Sequence, residues 1–393
     1  MGRRCHMKSK GVKTKIMQAA VVILSGFLSF IYFFMKIRPT KPGRVVFCSR
    51  QSDEMTVDFL LLQREIKKIR PDATFVAILN HVKPGFKGYA GLAADILRSM
   101  WHLAAAQICV LDSYWPAVSM LKHKDTLKVI QMWHAIGKMK KSGLQALDKK
   151  SGRSGALASS LKMHRNYDYF IGGAPFWNKF YKQAFGLRDE QILNYGLPRI
   201  DYLLETAESN RKRFVDEFPQ LAGKKIVLYA PTFRKNMAAH WEDITGAAEY
   251  DDVRIIVKNH PEQWAGKAAG GGVIYIDDWK TMDLIAVCDY LITDYSSIAL
   301  EAAVLRKKTF FWTYDYDEYM ENSGTNIDLR QEVPDNMSAD IDDIIERVEK
   351  DDYDEEEQAR YIRKFLPAQL GGSARRIAEK AAELMAGDKR QEI

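Results

Sequence analysis

The sequence predicts an α/β protein: two doubly wound domains behind a hydrophobic helix. Three observations carry this. Short β-branched runs alternate with segments of helical spacing, once within residues 42–205 and again within 222–345, the pattern of parallel sheets. A chain of 393 residues is too long for one ordinary domain. Residues 16–35, "IMQAAVVILSGFLSFIYFFM", depart from apolar character only at Gln18, Ser25, Gly26 and Ser29. At 1.5 Å per residue a stretch of that length extends about 30 Å, the thickness of a bilayer core.

Charge supports a membrane reading of that first segment. The net charge is +7, yet residues 1–52 hold eleven Lys and Arg and no acid, so the rest of the chain is −4. A nucleic-acid binder carries its basic charge on the folded domain. Here the charge brackets a hydrophobic stretch, which suits an anionic membrane surface and no nucleic acid. The long apolar core, without a small-x-small cleavage site, disfavours a cleaved signal peptide. The basic excess before the stretch, taken literally, places the body outside the cell. Cys5, Cys48, Cys109 and Cys288 are scattered and show no CxxC pairing, which argues for a reducing compartment and against a disulfide or zinc framework.

The elements follow in order. After the anchor and linker (1–41), "RVVFCS" reads as a buried strand, "TVDFLLLQREIKKIR" as a helix stopped by Pro71, and "ATFVAIL" as a strand. "GYAGLAADILRSMWHLAAA" is a helix, "QICVLDS" a third strand, and "TLKVIQMWH" a fourth that runs into "QMWHAIGKMKKSG". "YDYFIGGA" and the helix "PFWNKFYKQAFG" close the first domain (42–205). The charged helix "LLETAESNRKRFVDEFPQLAG" marks the break. The second domain (222–345) reads "KKIVLYAP", "DVRIIVKNHP", "GVIYIDD", the helix "WKTMDLIAVC", "DYLITDYS", the helix "SIALEAAVLR" and "KTFFWTYD". The tail (346–393) is helical and packs back on the body, and the acid run from Asp340 to Glu357 reads as a solvated face.

Ligands of open α/β sheets bind where strands end, and the unusual residues fall there. "YLITDYSSIALEAA" ends a strand at Asp294, and Ser296 and Ser297 open a helix, either as a phosphate cradle or as a plain cap. Glu301, a turn on, is either a ribose acceptor or an ordinary helix carboxylate. "IIVKNHP" delivers Lys258 and His260, which can meet an anion together. "YAPTFR" offers Arg234 for bidentate phosphate contact. Arg199 and Asp201 of "GLPRIDYL" read as a mutual pair. His134 follows the fourth strand as either a core histidine or a base. Lys138, Lys140 and Lys141 are either a solvated loop or an acceptor-binding patch. No GxGxxG loop, P-loop or strand-end DxD pair is present, so no metal or cofactor is expected.

In order, "QMWHAIGKMKKSG", "GAPFWNKFYKQAFGL", "GLPRIDYL", "YAPTFR", "KNHP", "LITDYSS" and "YDYDEY" resemble the blocks of the CDP-glycerol glycerophosphotransferase family of teichoic-acid synthesis, over roughly residues 42–370. The resemblance implies a GT-B fold, two Rossmann-like domains facing a cleft. It implies transfer of glycerol phosphate from CDP-glycerol to a hydroxyl of a lipid-linked polyprenyl-pyrophosphate acceptor, releasing CMP. It places the body at the cytoplasmic face of the plasma membrane, with residues 16–35 lying in the inner leaflet or re-entering it. It carries a catalytic base onto His134 and nucleotide-holding roles onto Arg234, His260, Ser296 and Ser297; from their places in the chain, Lys258 and Glu301 join the donor-binding set and His260 joins His134 as catalytic. Two departures, "MENSGTNIDL" after "DEY" and "EVPDNM" further on, leave CDP-ribitol open as donor. Only the anchor precedes the first domain, which points to a priming or single-addition enzyme. Another GT-B nucleotide-sugar glycosyltransferase and a non-catalytic scaffold are the alternative readings.

Overall fold

The computed structural model describes residues 2–149, 152–232, 244, 252–258 and 272–387, with side chains from Lys15 onward. Arg44–Ser49 (β1), Thr74–Leu79 (β2), Ile108–Leu111 (β3), Lys128–Gln131 (β4), Tyr169–Ile171 (β5) and Ile192–Leu193 (β6) form one parallel sheet, ordered β2-β1-β3-β4-β5-β6. Lys225–Tyr229 (β7), Val253–Val257 (β8), Val273–Tyr275 (β9), Tyr290–Thr293 (β10), Lys308–Trp312 (β11) and Met337–Ser338 (β12) form a second, ordered β12-β11-β10-β7-β8-β9. The central strands are buried on both faces, as in β1, where only Arg44 is partly exposed, and this explains their continuous apolar runs. Strand order reverses between β1 and β3 in the first sheet and between β7 and β10 in the second. Those two switch points are where ligands of such sheets bind.

After an N-terminal helix, Gly2–Met35 (α1), the helices cover the sheets. Val57–Ile69 (α2) starts at Thr56, whose side chain accepts from the Phe59 amide, and buries Phe59, Leu62 and Ile66 on one face. Phe86–Leu103 (α3), Pro116–Met120 (α4), Gly155–Ser160 (α5) and Asn178–Phe185 (α6) complete the first layer set. Pro198–Glu217 (α7) begins with Pro in its first turn, where the missing N–H costs nothing, and passes to the second domain. Thr281–Val287 (α8), Ile298–Val304 (α9), Tyr316–Asn322 (α10), Leu329–Glu332 (α11) and Ile341–Lys350 (α12) belong to the second domain. Glu355–Phe365 (α13) and Ser373–Gly387 (α14) return to the first: Trp177 Nε1 donates to the Phe365 carbonyl at 2.9 Å, and α14 packs along α2.

Three local readings are corrected. The fourth strand stops at Gln131, because Trp133 takes φ +60° and its amide donates to Gln131 Oε1 at 2.8 Å, which turns the chain off the sheet. The acid run is not wholly solvated: Glu357 is fully buried and accepts the amides of Asp335 (3.0 Å) and Asn336 (2.9 Å). Asp201 does not pair with Arg199. Its carboxylate instead takes the amides of Ser373 (2.9 Å) and Ala374 (2.7 Å), capping α14 from another element.

Because that cap anchors the returning helix, Asp201→Ala is expected to lower unfolding free energy by about 1–2 kcal/mol, while Asp201→Asn loses less. Urea denaturation of the three proteins checks the order; equal midpoints for Asp201→Ala and the parent would refute it.

Candidate functional site

Each sheet sends its chemistry out at the carboxyl ends of its strands. In the first, Ser49 ends β1, Asp112 follows β3 and His134 follows β4. In the second, Thr232 follows β7, Lys258 follows β8, and Asp294, Ser296 and Ser297 follow β10. Across the second switch point, the Thr232 amide donates to both Asp294 oxygens, at 3.0 and 3.1 Å. Arg234 and His260 lie outside the described residues.

His134 is half-buried, and its surroundings define its protonation. Its Nδ1 lies 2.9 Å from the Asp112 carbonyl oxygen. A carbonyl only accepts, so Nδ1 carries the proton and Nε2 presents a lone pair. Burial lowers the imidazole to about 4; the Asp112 carbonyl works against this, and the nearby Arg199 and Lys138 cations add to it. The ring is therefore neutral at pH 7. Trp133 stacks on it at 4.2 Å and leans on Phe185 at 4.7 Å, so the strained turn at Trp133 sets the plane of the imidazole. Asp112 is held in turn by Ser49 Oγ, which donates to Oδ2 at 2.7 Å. Burial lifts the Asp112 carboxyl to about 6, and its buried Oδ1 has no hydrogen-bond partner among the described residues.

Arg199 joins the parts. Its Nε (2.9 Å) and Nη2 (2.5 Å) both reach Asp58 Oδ2 in the first turn of α2, and its amide donates to Asp58 Oδ1 at 2.7 Å. Its Nη1 donates to the His134 carbonyl at 3.0 Å and to Glu301 Oε1, on α9 of the second domain, at 2.8 Å. Burial pulls the guanidinium's pKa down, but Asp58 and Glu301 more than offset it and hold the group well above its ordinary value. Glu301, which the sequence left as either a ribose acceptor or an ordinary helix carboxylate, is turned onto Arg199. Gly137 completes the junction: a Cβ there would lie 2.5 Å from Leu300 Cδ1 and 2.7 Å from Trp177 Cε2, so only glycine lets the histidine turn meet α9. Ser297 holds the N-cap position of that same helix without a side-chain cap bond, and Ser296 Oγ accepts from the Ile298 amide at 3.4 Å, so both serines sit at the helix start.

The lysines divide. Lys138 is buried, with Nζ on the Lys140 carbonyl (3.0 Å) and on Ser142 Oγ, and burial lowers it to about 7. Lys140 pairs with Thr325 as an isolated bridge, and the Lys141 amide donates to the Gly324 carbonyl at 3.1 Å. The segment is a strap to the second domain. Lys258 Nζ donates to the carbonyls of Ile276 and Asp277, both at 3.1 Å, next to β8. Asp58 and Asp112 carry no motif that marks them locally; position after a strand or at a helix start is their only sequence signal. Arg50, just past β1, is a further candidate. Its Nε is buried without a hydrogen-bond partner among the described residues, and after burial the charge that acts most on it is another cation, Arg153. Among the described residues no cluster of three or more His, Cys, Asp or Glu could hold a metal ion. A cavity of about 680 Å³ lined by His164, Lys162, Tyr167 and Phe185 lies near this corner, but His134 does not line it.

Residues 30–382 match the profile of the CDP-glycerol:poly(glycerophosphate) glycerophosphotransferase family. The chain is 28% identical to a teichoic acid ribitol-phosphate primase of Bacillus spizizenii, over 91% of this chain and 95% of that one. It is 24% identical to a teichoic acid glycerol-phosphate primase of the same organism, over 90% and 97%. Its fold superposes on the wall teichoic acid polymerase TagF with a TM-score of 0.74 at 18% identity, covering 97% of this chain and 99% of that chain. A UDP-GlcNAc 2-epimerase of Methanocaldococcus jannaschii shares the fold more distantly, with a TM-score of 0.55 at 12% identity over 86% and 99%.

Two outcomes follow from the geometry. Arg199→Met leaves Asp58 and Glu301 buried without a cation, which is expected to cost about 3–5 kcal/mol, and Arg199→Lys does not restore the bidentate contact. Denaturant titration reads this directly; a loss under about 1 kcal/mol contradicts it. Lys138 has a depressed folded-state pKa, so the unfolded chain binds more protons between about pH 7 and its ordinary value near 10.4, and stability rises with pH across that window. Lys138→Met is expected to flatten that rise in melting temperature between pH 7 and 9; an unchanged slope would refute it.

Proposed function

The chain belongs to the CDP-glycerol:poly(glycerophosphate) glycerophosphotransferase family, and from that membership we propose that this CDP-polyol phosphotransferase moves glycerol phosphate from CDP-glycerol to a hydroxyl of a lipid-linked acceptor at the cytoplasmic face of the plasma membrane, in teichoic-acid synthesis. The observation that carries the mechanism is the His134 Nδ1 contact with the Asp112 carbonyl, which leaves Nε2 unprotonated and able to take a proton.

In this reading the acceptor oxygen attacks the β-phosphorus of the donor. A new P–O bond forms, the bond to the bridging oxygen breaks, CMP leaves with the electron pair, and the hydroxyl proton passes to His134 Nε2. A positioned base of this kind contributes about 10²–10⁴-fold. The free imidazole is a weak base, and an anionic donor beside it raises its proton affinity toward the working range. The helix start at Ser296–Ser297 and the half-buried Lys258 support donor phosphate binding, and Arg234 and His260 are assigned with them from their motifs. Glu301 acts by positioning Arg199. Arg50 and Arg153, cations with no ion-pair acid among the described residues, suit the acceptor's phosphates better than Lys138 does. Transfer of ribitol phosphate from CDP-ribitol is the second reading, favoured by the 28% identity to a ribitol-phosphate primase over 95% of its length.

The test is turnover with CDP-glycerol, CDP-ribitol and UDP-sugars in parallel, read as CMP or UDP released. CMP from CDP-glycerol is the expected result; release from a UDP-sugar alone overturns the reading. His134→Ala is expected to retain donor affinity within about threefold while kcat falls about 10²–10⁴-fold. Near-normal kcat at saturating acceptor would remove His134 from the base role.

A further inference from the structure

The strand that leads to His134 ends in a way its sheet does not dictate. The ladder between β4 and β3 advances two residues at a step: the Lys128 amide donates to the Gln107 carbonyl at 2.8 Å, and the Met132 amide to the Leu111 carbonyl at 2.7 Å. Continued, the next rung would join the His134 amide to the Ser113 carbonyl. Trp133, at φ +60°, turns the chain off the sheet before that rung. The side chain of Gln131 stands in for it. Gln131 Nε2 donates to the Ser113 carbonyl at 3.1 Å, and Gln131 Oε1 accepts the Trp133 amide at 2.8 Å. Gln131 is fully buried, so water does not replace either bond.

The carbonyl next to Ser113, that of Asp112, receives His134 Nδ1 at 2.9 Å. Two successive carbonyls at the exit of β3 therefore hold the exit of β4, one through the Gln131 amide and one through the imidazole. The β3 exit is fixed in turn to β1: Ser49 Oγ donates to Asp112 Oδ2 at 2.7 Å, and the Arg50 amide to Ser113 Oγ at 3.0 Å. Without the Gln131 side chain, a carbonyl and an amide are left unpaired, and the left-handed Trp133 loses the bond that offsets its strain. The chemistry of the position is narrow. An amide offers a donor and an acceptor together and carries no charge. Methionine matches its length and lacks the donor, and an ionised glutamate sets a carboxylate against the Ser113 carbonyl.

We propose that Gln131 is a positioning residue for the transfer reaction: its side-chain amide bridges the exits of β3 and β4 and holds His134 where Nε2 can take the acceptor's proton. The proposal rests on the reading of His134 as the base, and Gln131 acts through that residue. Misplacing a reacting group by about 1 Å costs about 10²-fold in rate. Loosening this turn therefore acts on kcat and leaves donor affinity, assigned above to the second domain, in place.

The test is a kinetic cycle on the full chain. CMP release from CDP-glycerol is read with a saturating short-chain prenyl-diphosphate-linked glycerol as acceptor, and melting temperature is the folding control. Gln131→Met is expected to lower kcat about 10–100-fold while CDP-glycerol affinity stays within about threefold. His134→Ala and the double variant Gln131→Met/His134→Ala are expected to share one kcat within about threefold, because without the imidazole the amide has nothing to place. Gln131→Glu offers both a donor and an acceptor only as the neutral acid, so its kcat relative to the parent is expected to fall about tenfold or more from pH 6 to pH 9. If Gln131→Met does not fold, that ratio decides alone. Three results overturn the proposal and leave the base reading standing: a Gln131→Met kcat within about threefold of the parent, an equal proportional loss with and without His134, or a Gln131→Glu ratio that is flat with pH. A near-normal kcat for His134→Ala overturns the base reading and takes this proposal with it.

Discussion

One buried cation organises this molecule. Arg199 touches the first domain at Asp58, the second at Glu301, and the backbone of the candidate base at His134. The energetic logic is asymmetric. Removing charges from water costs several kcal/mol per ion, and the pairing gains over replacement by apolar groups are modest. Once the site is built, however, loss of one partner strands the others. Such a junction therefore fixes the geometry of the domain pair more than it stabilises either domain, and it links that geometry to the carbonyl of a residue that reads as catalytic.

The rest of the site hangs on the same economy of contacts. The His134 tautomer is set by a backbone carbonyl, its ring plane by a tryptophan held in a left-handed turn, and its approach to α9 by a glycine that leaves no room for a Cβ. These devices set the geometry, while burial and the nearby Arg199 and Lys138 cations keep the imidazole neutral. The strap from Lys138 to Lys141, bonded to residues 324–326, closes the same corner from the other side.

What the sequence made legible was the periodic and the local. Alternating strands and helices, the helix starting after "DYSS", and the position of His134 past a strand are properties of contiguous residues, and the ordered motifs pointed to the family. What it left illegible was partnership across distance. Asp201 lies two residues from Arg199, yet it caps a helix more than 170 positions away, because on α7 the two side chains leave in different directions. Lys138 reads as one more cation in a lysine-rich loop, and only tertiary packing reveals that it is buried. Glu357 looks like the rest of its acid run until two orphan amides of a distant turn are seen to need it. The N-terminal helix was visible as apolar length, while its contacts with the first domain through Gln18, Tyr32 and Lys36 were not.

Coupling of both domains by one arginine can be measured with a double-mutant cycle on Asp58→Asn and Glu301→Gln. Each single change leaves Arg199 one carboxylate; together they leave it buried with none. The double variant is expected to lose at least about 1 kcal/mol more unfolding free energy than the two singles combined. Losses that add within about 0.5 kcal/mol would mean that Arg199 does not couple the domains.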